Sequence, residues 1–192
     1  MLDLVGEPVS LAEAKKHLGV RTDFRDEEIA GLIVAARERV ELYTGRALTR
    51  RVVVQTLDRF ADPAGPIVCE FGPVHSVEGV RYLSSGQLID LDDAFVPVGP
   101  IGNRWHIYGG GSWPTLAAPA FAEVRYLAGF GPLPDGEEGV AVPIPQLLLR
   151  AVMLLVGTWF ENHEGAIVGT SVAELPFGVK DACRDFRPSG IA

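Results

Sequence analysis

Apolar residues follow a helical period at both ends of the chain and a strand period between them. Near the start, Ser10-Leu11-Ala12-Glu13 has the form of a capping box, in which the serine and glutamate satisfy each other's free amides, and Gly19 stands where such a helix would stop. Over residues 26–44, Ile29, Leu32, Ile33, Ala36, Val40 and Tyr43 make one apolar stripe. Asp26, Glu27 and Glu28 fall in the first turn of that helix, where the dipole favours them, and Gly45 ends it. Arg37 and Glu41, one turn apart, are expected on its solvent side.

From Arg50 to about Leu127 the period shortens. Six segments are strand-like: Arg51 to Leu57, Ile67 to Phe71, Val77 to Leu83, Phe95 to Val98, Trp105 to Tyr108 and Glu123 to Leu127. Turn formers separate them, among them Asp62-Pro63, Gly72-Pro73, Ser85-Gly86 and Gly109-Gly110-Gly111, the last expected as a hairpin turn. Short strands at this spacing predict a small antiparallel sheet or barrel rather than βαβ units. A loop rich in proline, glycine and acid follows, to Pro143. The predicted class is α+β. A helical core comes from residues 1–48 and 143–187, with helices at about 10–18, 26–44, 145–162 and 176–186. A small antiparallel β subdomain is inserted at 49–142, and 188–192 form a flexible tail.

The helix at 145–162 opens on Pro143-Ile144-Pro145 and is apolar on nearly every side. Such a helix is buried on nearly every side, and the other short helices of one small chain cannot easily cover it. A neighbouring subunit is therefore expected against Leu148, Val152, Met153, Val156, Gly157, Trp159 and Phe160. Gly157 costs about 1 kcal/mol relative to alanine inside a helix, which fits a second backbone passing close by. The last helix places Val179, Cys183 and Phe186 on one side.

Composition narrows the function. The net charge of −8 over 192 residues lacks the basic footprint of a protein that grips nucleic acid. Cys69 and Cys183 stand far apart and belong to no metal or redox motif, so they are expected as buried thiols. The N-terminus has neither the basic nor the apolar region of a secretory signal, and the apolar run at 147–160 is too short to span a membrane. The glycine triplet lacks the lysine and the strand-to-helix setting of a phosphate cradle. Asp90-Leu91-Asp92-Asp93 lacks the glycine and distal glutamate of a calcium loop. His163, in Glu161-Asn162-His163-Glu164, suits a helix C-terminus better than a metal. No serine lies in an elbow motif. No catalytic residue, metal or cofactor is expected, and the chain is not read as an enzyme.

Several stretches in fixed order resemble one family. Glu7-Pro8-Val9-Ser10-Leu11-Ala12-Glu13-Ala14-Lys15 with His17-Leu18, then Asp26-Glu27-Glu28-Ile29 through Tyr43-Thr44-Gly45-Arg46-Ala47-Leu48, are similar to the opening half of the long-form head–tail connector (adaptor) proteins of tailed bacteriophages and phage-like gene transfer agents. Tyr126-Leu127-Ala128-Gly129-Phe130-Gly131, Val142-Pro143-Ile144-Pro145, Leu155 to Asn162 and Glu174 to Val179 resemble the closing half. The chain departs from that pattern at Cys183 and Phe186, where the family carries a larger aliphatic and a tyrosine.

The resemblance implies a structural subunit of the particle neck, assembled in the bacterial cytoplasm. It implies a ring, commonly of twelve copies, below the portal, joining the DNA-filled capsid to the tail around a DNA channel. Implied partners are the portal protein, copies of the chain itself, and a stopper or tail-completion protein. DNA would pass without tight binding, and no membrane is involved. Connectors of this kind reach the portal with their C-terminal ends, which points to Phe177, Val179, Arg184, Phe186 and Arg187 as the docking residues. A segment of this composition would be mobile until a partner orders it. Three other readings stand beside this one: a tail-completion or stopper ring protein of the same particle, a small β-type module binding sugar or calcium, and, last, a hydrolase with an unrecognised site.

Overall fold

The computed structural model describes residues 6–60, 62–116, 121–132, 141–162 and 175–188. Helix α1 (Leu11–Leu18) begins as its capping box dictates: Ser10 Oγ accepts from Glu13 N at 3.2 Å and Glu13 Oε2 accepts from Ser10 N at 2.8 Å. Helix α2 (Asp26–Thr44) ends at Gly45 in the left-handed region, at φ 63°. Helices α3 (Gln146–Glu161) and α4 (Phe177–Cys183) follow much later in the chain, and a 3-10 turn (Arg184–Phe186) continues α4.

Between α2 and α3 lie strands β1 (Arg51–Leu57), β2 (Ile67–Val68), β3 (Val74–Ser84), β4 (Gln87–Asp90), β5 (Val96–Ile101), β6 (Arg104–Tyr108) and β7 (Ala122–Ala128). They form a four-stranded sheet in the order β1-β7-β3-β4 and a three-stranded sheet in the order β2-β6-β5, with every strand pair antiparallel. The α+β class with a small antiparallel β region is therefore present. One strand, β4, has no counterpart in the sequence reading. All four of its residues are exposed, so it carries no alternation to detect.

The buried apolar residues fall into two groups. Ile29, Ile33, Val40, Leu148, Val152 and Leu155 belong to the helical group. Val53, Val80, Val124 and Tyr126 of the larger sheet share the other with Ile67 and Ile107 of the smaller one. Strand β7 alternates buried and half-buried positions along its whole length, as a strand packed on one face must. Gln55 pins the two sheets together inside. Its Nε2 donates to Val68 O at 3.0 Å, and its Oε1 accepts from Glu70 N at 3.0 Å and from the Tyr126 hydroxyl at 3.2 Å.

The two cores meet at residues 45–50 and 128–131. Ala47 O accepts from Phe130 N at 3.0 Å, and Pro73 O accepts from Gly129 N at 2.9 Å. Gly129 has φ +120°, and a Cβ there would overlap the Thr49 carbonyl. Gly129→Ala is expected to cost about 2 kcal/mol from the strained backbone, read as a lower urea midpoint at unchanged slope.

Arg37 and Glu41 do not lie on the solvent side. They are 4% and 3% exposed and form the polar bolt of this seam. Glu41 accepts from Arg37 Nη1 at 3.0 Å, from Arg51 Nη1 and Nη2 at 2.9 Å each, and from Leu48 N at 2.7 Å. Arg37 Nε also donates to Glu7 at 2.9 Å. Burial disfavours the Arg37 charge, but Glu41, Glu7 and Glu38 together outweigh it and hold its pKa above the ordinary arginine value. The expected hairpin at Gly109-Gly110-Gly111 is also corrected. The strands on either side, β6 and β7, belong to different sheets, so the triplet is a crossover. It wraps the Asp93 carboxylate, which accepts from Gly111 N at 3.1 Å.

Candidate assembly surfaces

Helix α3 is less open than its sequence implies. Leu148, Val152 and Val156 are wholly covered by the same chain, because α1, α2 and α4 pack around it. These three therefore cannot serve as the subunit contact predicted for them in this conformation. At Gly157 a Cβ would meet the His17 ring of α1 at 3.5 Å. Phe160 lies under the Arg25 guanidinium, 4.0 Å from the ring centroid. Met153 and Trp159 are partly buried against the same core. What α3 leaves open is a narrow stripe containing Leu147, which is 46% exposed, and Arg150.

The end of the chain divides in a similar way. Val179 is fully buried, as is Cys183, so α4 is a core element and Val179 is no docking residue. Phe186 also packs partly against the helical core. Arg187 stacks on Tyr43 at 4.7 Å, and Asn103 Nδ2 donates to Asp185 O at 2.8 Å and Arg187 O at 3.0 Å. These contacts hold residues 185–187 against the body of the fold. Pro188 reaches back over Gly45; residues 189–192 of the expected tail lie outside the described residues. Two of the five expected docking residues do project. Phe177 is 84% exposed, and Arg184 is exposed beside Asp181 at 2.6 Å.

Strand register reveals a further face that sequence reading missed. Val68, His106 and Val98 lie side by side across the three-stranded sheet, and Val96 lies opposite Tyr108. The four valine and tyrosine residues of this set are exposed. Paired residues share a face, so this sheet presents an apolar outer surface. The larger sheet does the opposite, carrying the cross-strand ion pairs Arg81–Glu123 and Arg125–Glu78 outward. Valine on both sides of a strand was visible in the sequence, but which face remains open depends on pairing. Phe24, 95% exposed between α1 and α2, was also missed.

The interior offers little chemistry. Burial pushes the Cys69 thiol up to about 12 and the Cys183 thiol to about 11, so both stay protonated and unreactive. Among the described residues, no three His, Cys, Asp or Glu side chains gather as a metal set, and no helix is long and apolar enough to cross a membrane. His163 and Glu164 lie outside the described residues. A cleft of about 330 Å³ opens at the seam, lined by Tyr43, Glu70, Phe71, Trp105 and Pro188 among others.

Fold and surfaces together define a small α+β protein with apolar faces open to solvent. Residues 8–80 match the family of phage gp6-like head-tail connector proteins. Similar solved structures cover the whole chain. A chain in the virion of a native gene transfer agent particle is 25% identical, with a TM-score of 0.72 over 100% of this chain and 97% of the other. Chains in the neck of an empty particle, computed with C6 symmetry, and of a native particle, computed with C12 symmetry, are 23% and 24% identical with the same coverage, each at a TM-score of 0.71. Comparison with curated proteins gives no match. The resemblance to head–tail connectors read from the sequence is thus met by the family match over residues 8–80 and by the fold over the whole chain. The family is one of phage head-tail connectors, and these structures are parts of gene transfer agent particles.

Proposed function

We propose that the chain is a non-catalytic head–tail adaptor: a subunit of a closed ring, of twelve copies, below the portal in the neck of a phage or gene transfer agent particle. The observation that carries this reading is the fold similarity over the entire chain to proteins of gene transfer agent necks and virions, joined to the connector match at residues 8–80. The C12 symmetry used for one of those necks supports the copy number. Head-to-tail contacts close into a ring when their rotation allows. The exposed stripe of α3 at Leu147, the outer face of the three-stranded sheet and Phe24 are the candidate faces between copies. Phe177 and Arg184 are the candidate contacts to the portal. A stopper or tail-completion protein would then close the ring from below.

The test is co-purification. Tagged subunit from a lysate of assembling particles should bring down portal protein before tails attach. Recovery with tail tube and without portal would favour a stopper role instead. The acidic balance of 25 Asp and Glu against 17 Lys and Arg suits a channel that lets DNA slide. Free subunit should bind duplex DNA only in the weak, non-specific range, Kd about 10⁻⁴ M or poorer at physiological salt. Fluorescence anisotropy showing micromolar or tighter binding would contradict a passive conduit.

A further inference from the structure

Just beyond α2, Arg46 is a buried cation with no carboxylate partner among the described residues. Arg46 is 5% exposed, and its Nε is sealed from solvent with no hydrogen-bond partner. Among the described residues no carboxylate bonds its guanidinium, and burial alone holds its pKa below the ordinary arginine value. The contrast with its neighbours is sharp. Arg37, equally buried, has Glu7 and Glu41, and Arg51 has Glu41. Arg50 lies against His75. Taking a charge out of water is costly unless a partner compensates it.

The position of Arg46 is fixed by backbone. Ala47 N donates to Gly72 O at 2.9 Å and Gly72 N to Gly45 O at 3.0 Å, so Arg46 bridges Gly72 in parallel. Bridged residues share a face, and over Gly72 that face is occupied by the Trp105 indole, which a Cβ at residue 72 would overlap. The backbone of Arg46 is thus held in place, and its side chain is almost wholly covered. A planar fork held in this way matches a carboxylate, which it can bind through two parallel N–H donors.

We propose that Arg46 receives a carboxylate from the next copy of this chain in the ring, an ion pair completed only on assembly. The inference rests on the ring reading above. A second copy is favoured because its surface is rich in carboxylates, with an excess of eight acidic side chains. A phosphate on the outside of a duplex is poorly matched to so buried a cation, since phosphate contacts are made by side chains that reach the backbone of the duplex. A head-to-tail contact uses two different patches of each subunit, so every copy offers one Arg46 and one acid.

Arg46→Met keeps the stem and removes the charge. The free variant should melt at or above the wild-type temperature, since an uncompensated charge is gone. Its occupancy in purified particle necks, measured by quantitative mass spectrometry, should fall at least tenfold. Arg46→Lys, with the charge but not the fork, should fall between. A neck reconstruction should place a neighbour's carboxylate oxygen about 3 Å from an Arg46 terminal nitrogen. Three results would overturn the inference: wild-type occupancy of the methionine variant, with or without loss of packaged DNA; a melting temperature several degrees lower, meaning that the guanidinium is bonded within its own fold; or a reconstruction with Arg46 unpaired. Wild-type subunit absent from the neck would sink the ring reading itself, and this inference with it.

Discussion

Glu41→Gln is expected to destabilise the free subunit by about 3–5 kcal/mol, the range for removing one partner from a buried ion pair. Glu41 receives four hydrogen bonds: one from α2, two from the first residue of β1 and one from the backbone of Leu48. Glutamine keeps the shape but presents one oxygen and no charge. Arg37 then retains only Glu7 and Glu38, and Arg51 loses its carboxylate. The same physics makes a converse prediction. Replacing Arg37, Glu41 and Arg51 together with methionine or leucine should recover most of the loss, because packed apolar residues often match a buried ionic group in stability. Urea unfolding monitored by circular dichroism measures both. A loss under about 1 kcal/mol for the single variant would mean that the bolt is ornamental.

Phe177→Asp should act on assembly alone. The ring is 84% exposed at the first position of α4, and its backbone lies outside the helical core that Val179 and Cys183 fill. Surface substitutions of this kind change stability by less than about 0.5 kcal/mol. If Phe177 is a portal anchor, losing it costs at least about 2 kcal/mol of contact energy, roughly thirtyfold in affinity. Particles from cells making only the variant should then carry filled heads with few adaptor subunits and few tails. Normal occupancy would move the portal contact elsewhere, most directly to the apolar outer face of the three-stranded sheet.

The helices were legible because their signals are local. Ser10 and Glu13 cap α1, Gly19 and Gly45 turn left-handed where the pattern stops, and the stripe from Ile29 to Val40 is buried as its spacing requires. Strands β1 and β7 were legible through β-branched runs, and they pair in register along their full lengths. The errors share one cause. Burial of a charge or exposure of an apolar residue depends on what the rest of the chain brings alongside. Arg37 and Glu41 read as solvent residues because nothing near them in sequence foretells Arg51 and Leu48. Leu148, Val152 and Val156 read as a subunit interface because α1 and α4 are short, yet short helices suffice when they surround a helix on several sides. Arg46 stood in plain view in the Tyr43-Thr44-Gly45-Arg46 motif, but its lack of a carboxylate partner among the described residues could be seen only from the fold.

The central claim is that this chain forms the adaptor ring between portal and tail. A single-particle reconstruction of purified particles, with the neck refined without imposed symmetry, tests it most directly. The account predicts twelve copies of this fold in one closed ring against the portal, with Phe177 toward the portal and DNA passing through the centre. Density for this subunit at the tail tube, in the capsid shell or nowhere in the particle would contradict it.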